Sequence, residues 1–224
     1  MGYLSQEDHA IVTKAVSDAE LTTSGEIVTV LADRSDGYSD VALAWAALAS
    51  FFTLAMLTIF PDPVLNTYAS LHGNWNTEWS PNDIFAMAAG AATFWFLVVW
   101  GIQFWTPIKF AMIPGKIKRL RVRERAIKHF KVGAERRTHG RTGFMIYLSM
   151  REHRAEIVAD EPIAELVDAE VWGEAMADML AEIKRGHIAE GMAAGVRDVG
   201  KVLSEHFPRA EDDQNELPDR LIEV

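Results

Sequence analysis

Residues 41–60 read VALAWAALASFFTLAMLTIF, twenty positions without a charged side chain. A hydrocarbon layer about 30 Å thick takes roughly 20 helical residues to cross, so this stretch is long enough to span one. A second stretch, IFAMAAGAATFWFLVVWGIQFW at 84–105, is equally free of charge. A core helix of a soluble protein keeps a polar stripe, and neither segment has one. A chain of 224 residues is also too short to surround two helices that are apolar on every side. The sequence therefore predicts an integral membrane protein with a transmembrane helical hairpin over 41–106 and a connector at 61–83.

The flanks predict its orientation. Residues 107–137 carry eleven basic side chains against Glu124 and Glu135, a net charge of +9. The connector holds Asp62, Glu78 and Asp83 and no basic residue. Lysine and arginine are retained on the cytoplasmic side, which places the connector outside and both termini inside. Trp75 and Trp79 fall near the outer interface, and Trp45 and Trp105 near the inner one, where amphipathic indole rings collect. Small residues (Ala42, Ala44, Ala46, Ala47, Ala49, Ser50) begin the first span, and bulky ones (Phe94, Trp95, Phe96, Trp100) end the second. In an antiparallel pair these lie at one depth, so either small receives large or alanine is merely abundant.

Outside the hairpin two polar pieces remain. Ser5-x-x-Asp8 has the pattern of a capping box ahead of a helix with Ile11, Val12, Ala15, Val16 and Ala19 inward. Gly25–Leu31 (GEIVTVL) reads as a strand rich in β-branched residues. After the hairpin, 116–136 reads as a basic helix with Leu120, Ile127, Phe130 and Ala134 inward. Gly143–Ser149 (GFMIYLS) reads as a central strand, and Arg151–Arg154 as the turn into a strand over 155–159. Two helices follow. One carries Trp172, Met176, Met179, Leu180 and Ile183 and stops at Gly186; the other carries Ile188, Met192, Val196, Val199 and Leu203 and stops before Pro208. Residues 208–224, with EDDQNELPDR, read as an acidic, loose tail. The first strand needs sheet partners, and 143–159 offers them. Residues 1–40 and 107–207 are thus expected to form one discontinuous α/β domain interrupted by the hairpin.

Specific segments add to this. AVSDAELTTSGEIVTV at 15–30, TGFMIYLSMREHRAEIVADEPI at 142–163, the spaced Trp172, Gly186 and Gly191, GVRDVG at 195–200 and HFPRAEDDQNELPD at 206–219 resemble the TPM domain family (the TLP18.3/Psb32/MOLO-1 group, often labelled TPM phosphatase). The resemblance covers nearly all the soluble sequence and is nearest to short bacterial members that carry transmembrane segments inside the domain. It implies a small α/β sandwich with a mixed sheet of about four strands, and a place in the inner (plasma) membrane. It also implies a spread of roles: weak acid phosphatase activity, calcium binding, and assembly, repair or regulation of membrane proteins. A LemA-type membrane protein becomes a candidate partner on the same ground.

Chemical motifs are sparse. With no cysteine the chain has no disulfide, thiol nucleophile or Cys-type metal site. It has no Asp-x-Asp nucleophile pair. Arg137-Thr138-His139-Gly140 lacks the adjacent Arg and His of histidine phosphatases and precedes a strand, so it reads as a turn. Pro114-Gly115-Lys116 lacks the remaining residues of a phosphate-cradling loop and reads as a helix start. The seven histidines show no ligand spacing, and no EF-hand loop is present. The remaining candidates are carboxylates at strand ends: Glu26 opens the first strand, and Asp160 and Glu161 close the third. If those strands are neighbours, the three converge on a divalent cation, Ca2+ or another; otherwise they are solvated strand ends. Family members that bind calcium use an acidic cluster, and Asp160 falls in the matching IVAD segment. Arg141 is placed to pair with either carboxylate, with phosphate or with solvent.

The basic stretch reads more firmly. Lys116, Lys118, Arg119, Arg121, Arg123 and Arg125 follow the second span and are expected to contact anionic lipid headgroups, at roughly 1 kcal/mol per basic residue near the surface. The rest of the chain carries a net −19, which disfavours nucleic acid. Two functions follow: a membrane-anchored interaction or regulatory module modulated by a divalent metal, or a weak metal-dependent acid phosphatase. A channel or transporter is disfavoured because the spans hold no charge.

Overall fold

The computed structural model describes residues 3–71, 79–133, 142–210 and 216–224. The expectations at His72, Trp75 and Glu78, at Ala134 to Arg141 with the turn at Arg137, and at residues 211–215 lie outside the described residues. The chain forms two units: Met1–Asp36 with Gly115–Val224, and Gly37–Pro114. The first begins with α1 (Gln6–Glu20) and β1 (Glu26–Ala32). The second holds α2 (Ser39–Ile59), α3 (Pro61–Leu71), α4 (Pro81–Ile102) and α5 (Thr106–Met112). The chain then re-enters the first unit with α6 (Gly115–Gly133), β2 (Gly143–Ser149), β3 (Arg154–Ala159), α7 (Glu161–Leu166), α8 (Ala169–Lys184), α9 (Ile188–His206) and β4 (Ile222–Glu223).

In the first unit the sheet order is β3-β2-β1-β4. β1 runs parallel to β2 and β4, and β2 runs antiparallel to β3. All seven residues of β1 and all seven of β2 are buried, which explains their unbroken apolar reading: helices cover both faces. Val122, Ala126 and Phe130 of α6 pack with Val28, Val30, Met145 and Tyr147 on one face. On the other, Ile27, Phe144 and Ile146 meet Val16 of α1, Met179 of α8 and Val196 of α9. The capping box forms: Ser5 Oγ accepts from Asp8 N–H, and the Asp8 carboxylate accepts from Ser5 N–H at 2.9 Å. His153 sits at φ 51° in the tight β2–β3 turn.

Two inward assignments and the reading of the tail change. Ile11 is exposed, because the buried stripe of α1 is Val12, Ala15, Val16 and Ala19 and Ile11 lies just off its edge. Leu120 is exposed too; the buried stripe of α6 advances by four residues through Val122, Ala126 and Phe130. The loose tail is corrected most. Leu217 and Leu221 are buried, and Ile222–Glu223 pair with Val30–Leu31 as the fourth strand. A short helix, α7, also follows β3, over a segment too short to show a helical period.

The second unit, taken by itself, has two helices long and apolar enough to cross a membrane, α2 and α4. Only 11% of the first apolar window and 6% of the second are buried within the protein. That is the opposite of a soluble core helix. Phe51, Phe52, Phe85, Leu97 and Phe104 are all exposed, large apolar side chains on one unit. A capping box at Ser80 and Asp83, with Pro81 in the first turn, fixes the start of α4. Of the two readings of the small residues, small receiving large holds at most for Phe96. Ala42, Ala46 and Ala92 are buried and Phe96 is half-buried, whereas Phe94, Trp95 and Trp100 are 59%, 48% and 39% exposed. Small residues let the backbones approach and leave most of the bulky rings outside. Gln103 is buried, and its amide donates to the carbonyls of Ala42 and Val99 at 3.0 Å each, a polar tie between α2 and the end of α4. Trp45 donates to the Met112 carbonyl at 3.0 Å, and Tyr38 stands edge-on to Phe110.

Candidate functional site

The three proposed metal ligands do not converge. β1 and β3 are not neighbours, because β2 lies between them. Parallel pairing of Glu26 with Gly143 and antiparallel pairing of Phe144 with Ala159 do bring Glu26 and Asp160 to the same end of the sheet. Each is turned to the backbone there. The Asp160 carboxylate accepts from Gly143 N–H at 3.0 Å while Asp160 N–H donates to the Gly143 carbonyl at 2.9 Å, closing the β3 terminus onto β2. The two Glu26 oxygens accept from Glu216 N–H at 3.2 Å and Leu217 N–H at 3.0 Å. Glu161 is exposed in the first turn of α7. Among the described residues no group of three His, Asp or Glu is arranged to hold a metal ion. Sequence reasoning placed Glu26 and Asp160 at strand ends but could not assign the backbone partners, which come from residues 17 and 190 positions away.

An unexpected carboxyl joins this edge. Glu20, at the end of α1, accepts from Ile27 N–H at 2.9 Å. Burial pushes its carboxyl up to about 8; the Ile27 bond opposes the rise, while the charges of Glu26 and Asp219 and a hydrogen bond with Asp219 add to it. Between about pH 4.5 and 8 the folded protein keeps a proton that the unfolded chain has released. Stability therefore falls as pH rises through that window and levels off above it. Glu20→Gln retains an oxygen for Ile27 and removes the titration. It should gain on the parent protein as pH rises, by about 1–2 kcal/mol at pH 8 after allowance for solvent screening. Denaturant melts at pH 5 and pH 8 check this, and an equal difference at the two pH values would contradict it.

The opposite end of the sheet holds a polar network with no sequence signal. Ser35 Oγ donates to Ser149 Oγ at 2.9 Å, and Ser149 Oγ donates to the Glu152 carboxylate at 2.6 Å. The same carboxylate accepts from Ser35 N–H at 2.9 Å, and Ser35 Oγ lies 3.2 Å from the Tyr147 hydroxyl. Ser35, Ser149 and Glu152 are all buried. A serine beside a carboxylate invites a nucleophile reading, but a reactant cannot reach oxygens enclosed in this way. The network instead fixes the 33–36 segment from which the chain departs into α2. Arg151 reinforces it through Asp33 at 2.8 Å.

The six basic residues assigned to lipid headgroups lie on α6 but are not equivalent. Lys116, Arg119, Arg123 and Arg125 are exposed; Lys118 and Arg121 are half-buried. Arg121 is tied to Asp36 at 3.3 Å and to Glu124 at 3.7 Å. Arg119 and Arg123 act electrostatically on Glu156 of β3, whose carboxyl is pushed up by burial and lowered by those two guanidiniums and Arg154.

The fold is similar to one solved by NMR, that of the BA42 protein from the psychrophilic bacteria Bizionia argentinensis sp. nov.. The TM-score is 0.57 at 17% identity, over 100% of this chain and 97% of that one. At this identity the likeness concerns the fold alone. No family model matches the chain, and no curated protein does.

Proposed function

We propose that the protein is a membrane-anchored, TPM-like interaction or regulatory module, with its α/β unit on the cytoplasmic side, serving the assembly or maintenance of a membrane protein. One observation carries the reading: an α/β unit is interrupted by a pair of outward-facing apolar helices, and after the short α5 a helix with exposed cations follows that pair in sequence. The chain passes between the two units twice, so the α/β unit is tethered through both ends of the hairpin. Lys116 and Arg125, exposed two residues or more after Pro114, suit anionic headgroups. A LemA-type membrane protein remains the candidate partner that the family resemblance suggests. The alternative, a weak metal-dependent phosphatase at Glu26 and Asp160, has less behind it, because both carboxylates are engaged with backbone N–H groups.

The absence of native cysteine supplies a direct test. Asn66→Cys and Glu205→Cys, made singly in the full-length chain in native membranes, should label from the outside and the inside respectively. Equal labelling of both from one side would overturn the topology. The same membranes, crosslinked and affinity-purified, should yield a stoichiometric membrane-protein partner and no aryl-phosphate turnover with or without calcium. Turnover that disappears in Asp160→Ala would overturn the module reading in favour of the phosphatase.

A further inference from the structure

Among the described residues β3 is an edge strand with no strand on its outer side. All six of its residues are half-buried. The bond from Asp160 N–H to the Gly143 carbonyl sets the alternation of the β2–β3 ladder. It turns the N–H and C=O groups of Arg154, Glu156 and Val158 toward β2 and those of Ala155, Ile157 and Ala159 outward. An outward row of this kind is a template for another strand.

A cavity of about 380 Å³ lies along this edge. Its walls are of two kinds, because side chains alternate across the sheet. Ile157, Ala159, Val167, Trp172 and Met176 make one wall apolar, on the α8 face. On the α6 face the cavity is lined by Glu156 and Arg123. Arg119 and Arg154 also act electrostatically on Glu156, so three guanidiniums surround one carboxyl at this side of the edge. The Arg154 side chain reaches the Gly115 carbonyl at 3.4 Å through its terminal nitrogen, while its buried Nε has no hydrogen-bond partner among the described residues.

We propose that this groove binds an extended protein segment in which acidic residues alternate with apolar ones, added to β3 as a fifth strand. The backbone of the segment pairs with Ala155, Ile157 and Ala159. Its period of two sends every second side chain to the arginines and the intervening ones to the Trp172 wall. This rests on the interaction-module reading and names the chemistry of the partner.

Gly173 lines the cavity, and no heavy atom lies within 4 Å of where its Cβ would stand. The Cβ of Gly173→Phe therefore stands in open space, and its ring enlarges a residue that lines the groove. The experiment uses the full-length protein in zwitterionic nanodiscs and a labelled peptide, Glu-Val-Glu-Val-Glu-Val. Saturable binding is expected, weakened at least tenfold by Gly173→Phe and by the double variant Arg119→Glu/Arg123→Glu, with melting temperatures unchanged. Peptides of block order (three Glu, then three Val), or with Lys for Glu, should bind at least tenfold more weakly. Equal binding of the Lys peptide, or indifference to Gly173→Phe, overturns the proposal. So does concentration-dependent dimerisation of the protein abolished by Gly173→Phe, which makes a second copy the occupant. If anionic nanodiscs fail to compete with the peptide while Arg119→Glu/Arg123→Glu affects only nanodisc binding, the arginines serve lipid and the proposal falls. Partner crosslinking that survives Gly173→Phe in the absence of peptide binding removes the groove but leaves the module reading standing.

Discussion

Replacing Glu26 with alanine should lower the stability of the α/β unit by about 3 kcal/mol and release its C-terminal strand. The side chain is buried, and its two oxygens accept from consecutive backbone N–H groups, Glu216 and Leu217. A charged acceptor makes these bonds stronger than neutral ones, and its removal leaves the buried Leu217 N–H without a partner. From that clamp the chain runs beside β1 to Val224, where Val224 N–H donates to the Leu31 carbonyl and Asp33 N–H donates to the Val224 carbonyl. The second anchor, Glu223, accepts from Tyr3 N–H at 3.0 Å and lies 3.0 Å from His9. Hydrogen exchange should therefore accelerate across Leu217–Val224 in Glu26→Ala and stay unchanged in α8 and α9. Glu26→Gln, with one acceptor oxygen retained, should lose about half as much. A role as metal ligand gives another pattern: calcium would raise the melting temperature of the parent protein and not that of Glu26→Gln, with exchange at the strand unaffected.

Gly191→Val should cost about 3 kcal/mol or more. A Cβ at position 191 would stand 2.8 Å from the carbonyl oxygen of Met179 and 2.8 Å from Ile183 Cγ1, with the Ile183 backbone nitrogen at 3.2 Å. Two of these atoms belong to the α8 backbone, so relief requires moving the helix. Gly173→Ala is the control. It adds a methyl group to open space in the same helical pair and should stabilise by up to about 1 kcal/mol, because alanine restricts the unfolded chain and favours helix. Denaturant unfolding of both variants measures the contrast. Equal effects would mean that helix propensity, not the close approach of α8 and α9, governs position 191.

What the sequence made legible follows from how local each signal is. The spans need only twenty uncharged residues in a row. β1 and β2 need only an apolar run too short for a helix, and α9 needs only the spacing of Met192, Val196, Val199 and Leu203. The fourth strand had no such signal. It pairs over two residues, follows a polar stretch, and is held by a carboxylate 190 positions away. The metal ligands expected at Glu26, Asp160 and Glu161 do not converge for a related reason. Glu26 and Asp160 were correctly placed at strand ends, but strand order is a property of the whole sheet, and β2 separates them. The Ser35–Ser149–Glu152 network joins residues more than 110 positions apart, and serines at ordinary spacing announce nothing. In the basic helix the composition was plain and the register was not: Leu120 and Val122 are equally apolar, and only the sheet face decides which is buried.

The parallel pairing of β1 with β2 also has a consequence for how the protein is made. β1 is complete at Ala32, whereas β2 begins at Gly143 and β4 at Ile222. At about 5–20 residues per second the first strand waits on the order of 5–20 s for a neighbour, and longer for the second. On the proposed reading, α2 and α4 leave the ribosome and insert into the bilayer during that time. EIVTVLA is a β-branched segment with one charge, the type of sequence that self-associates when its edges are open. On that reading membrane insertion precedes sheet closure, and slow insertion should show itself first as aggregation through β1.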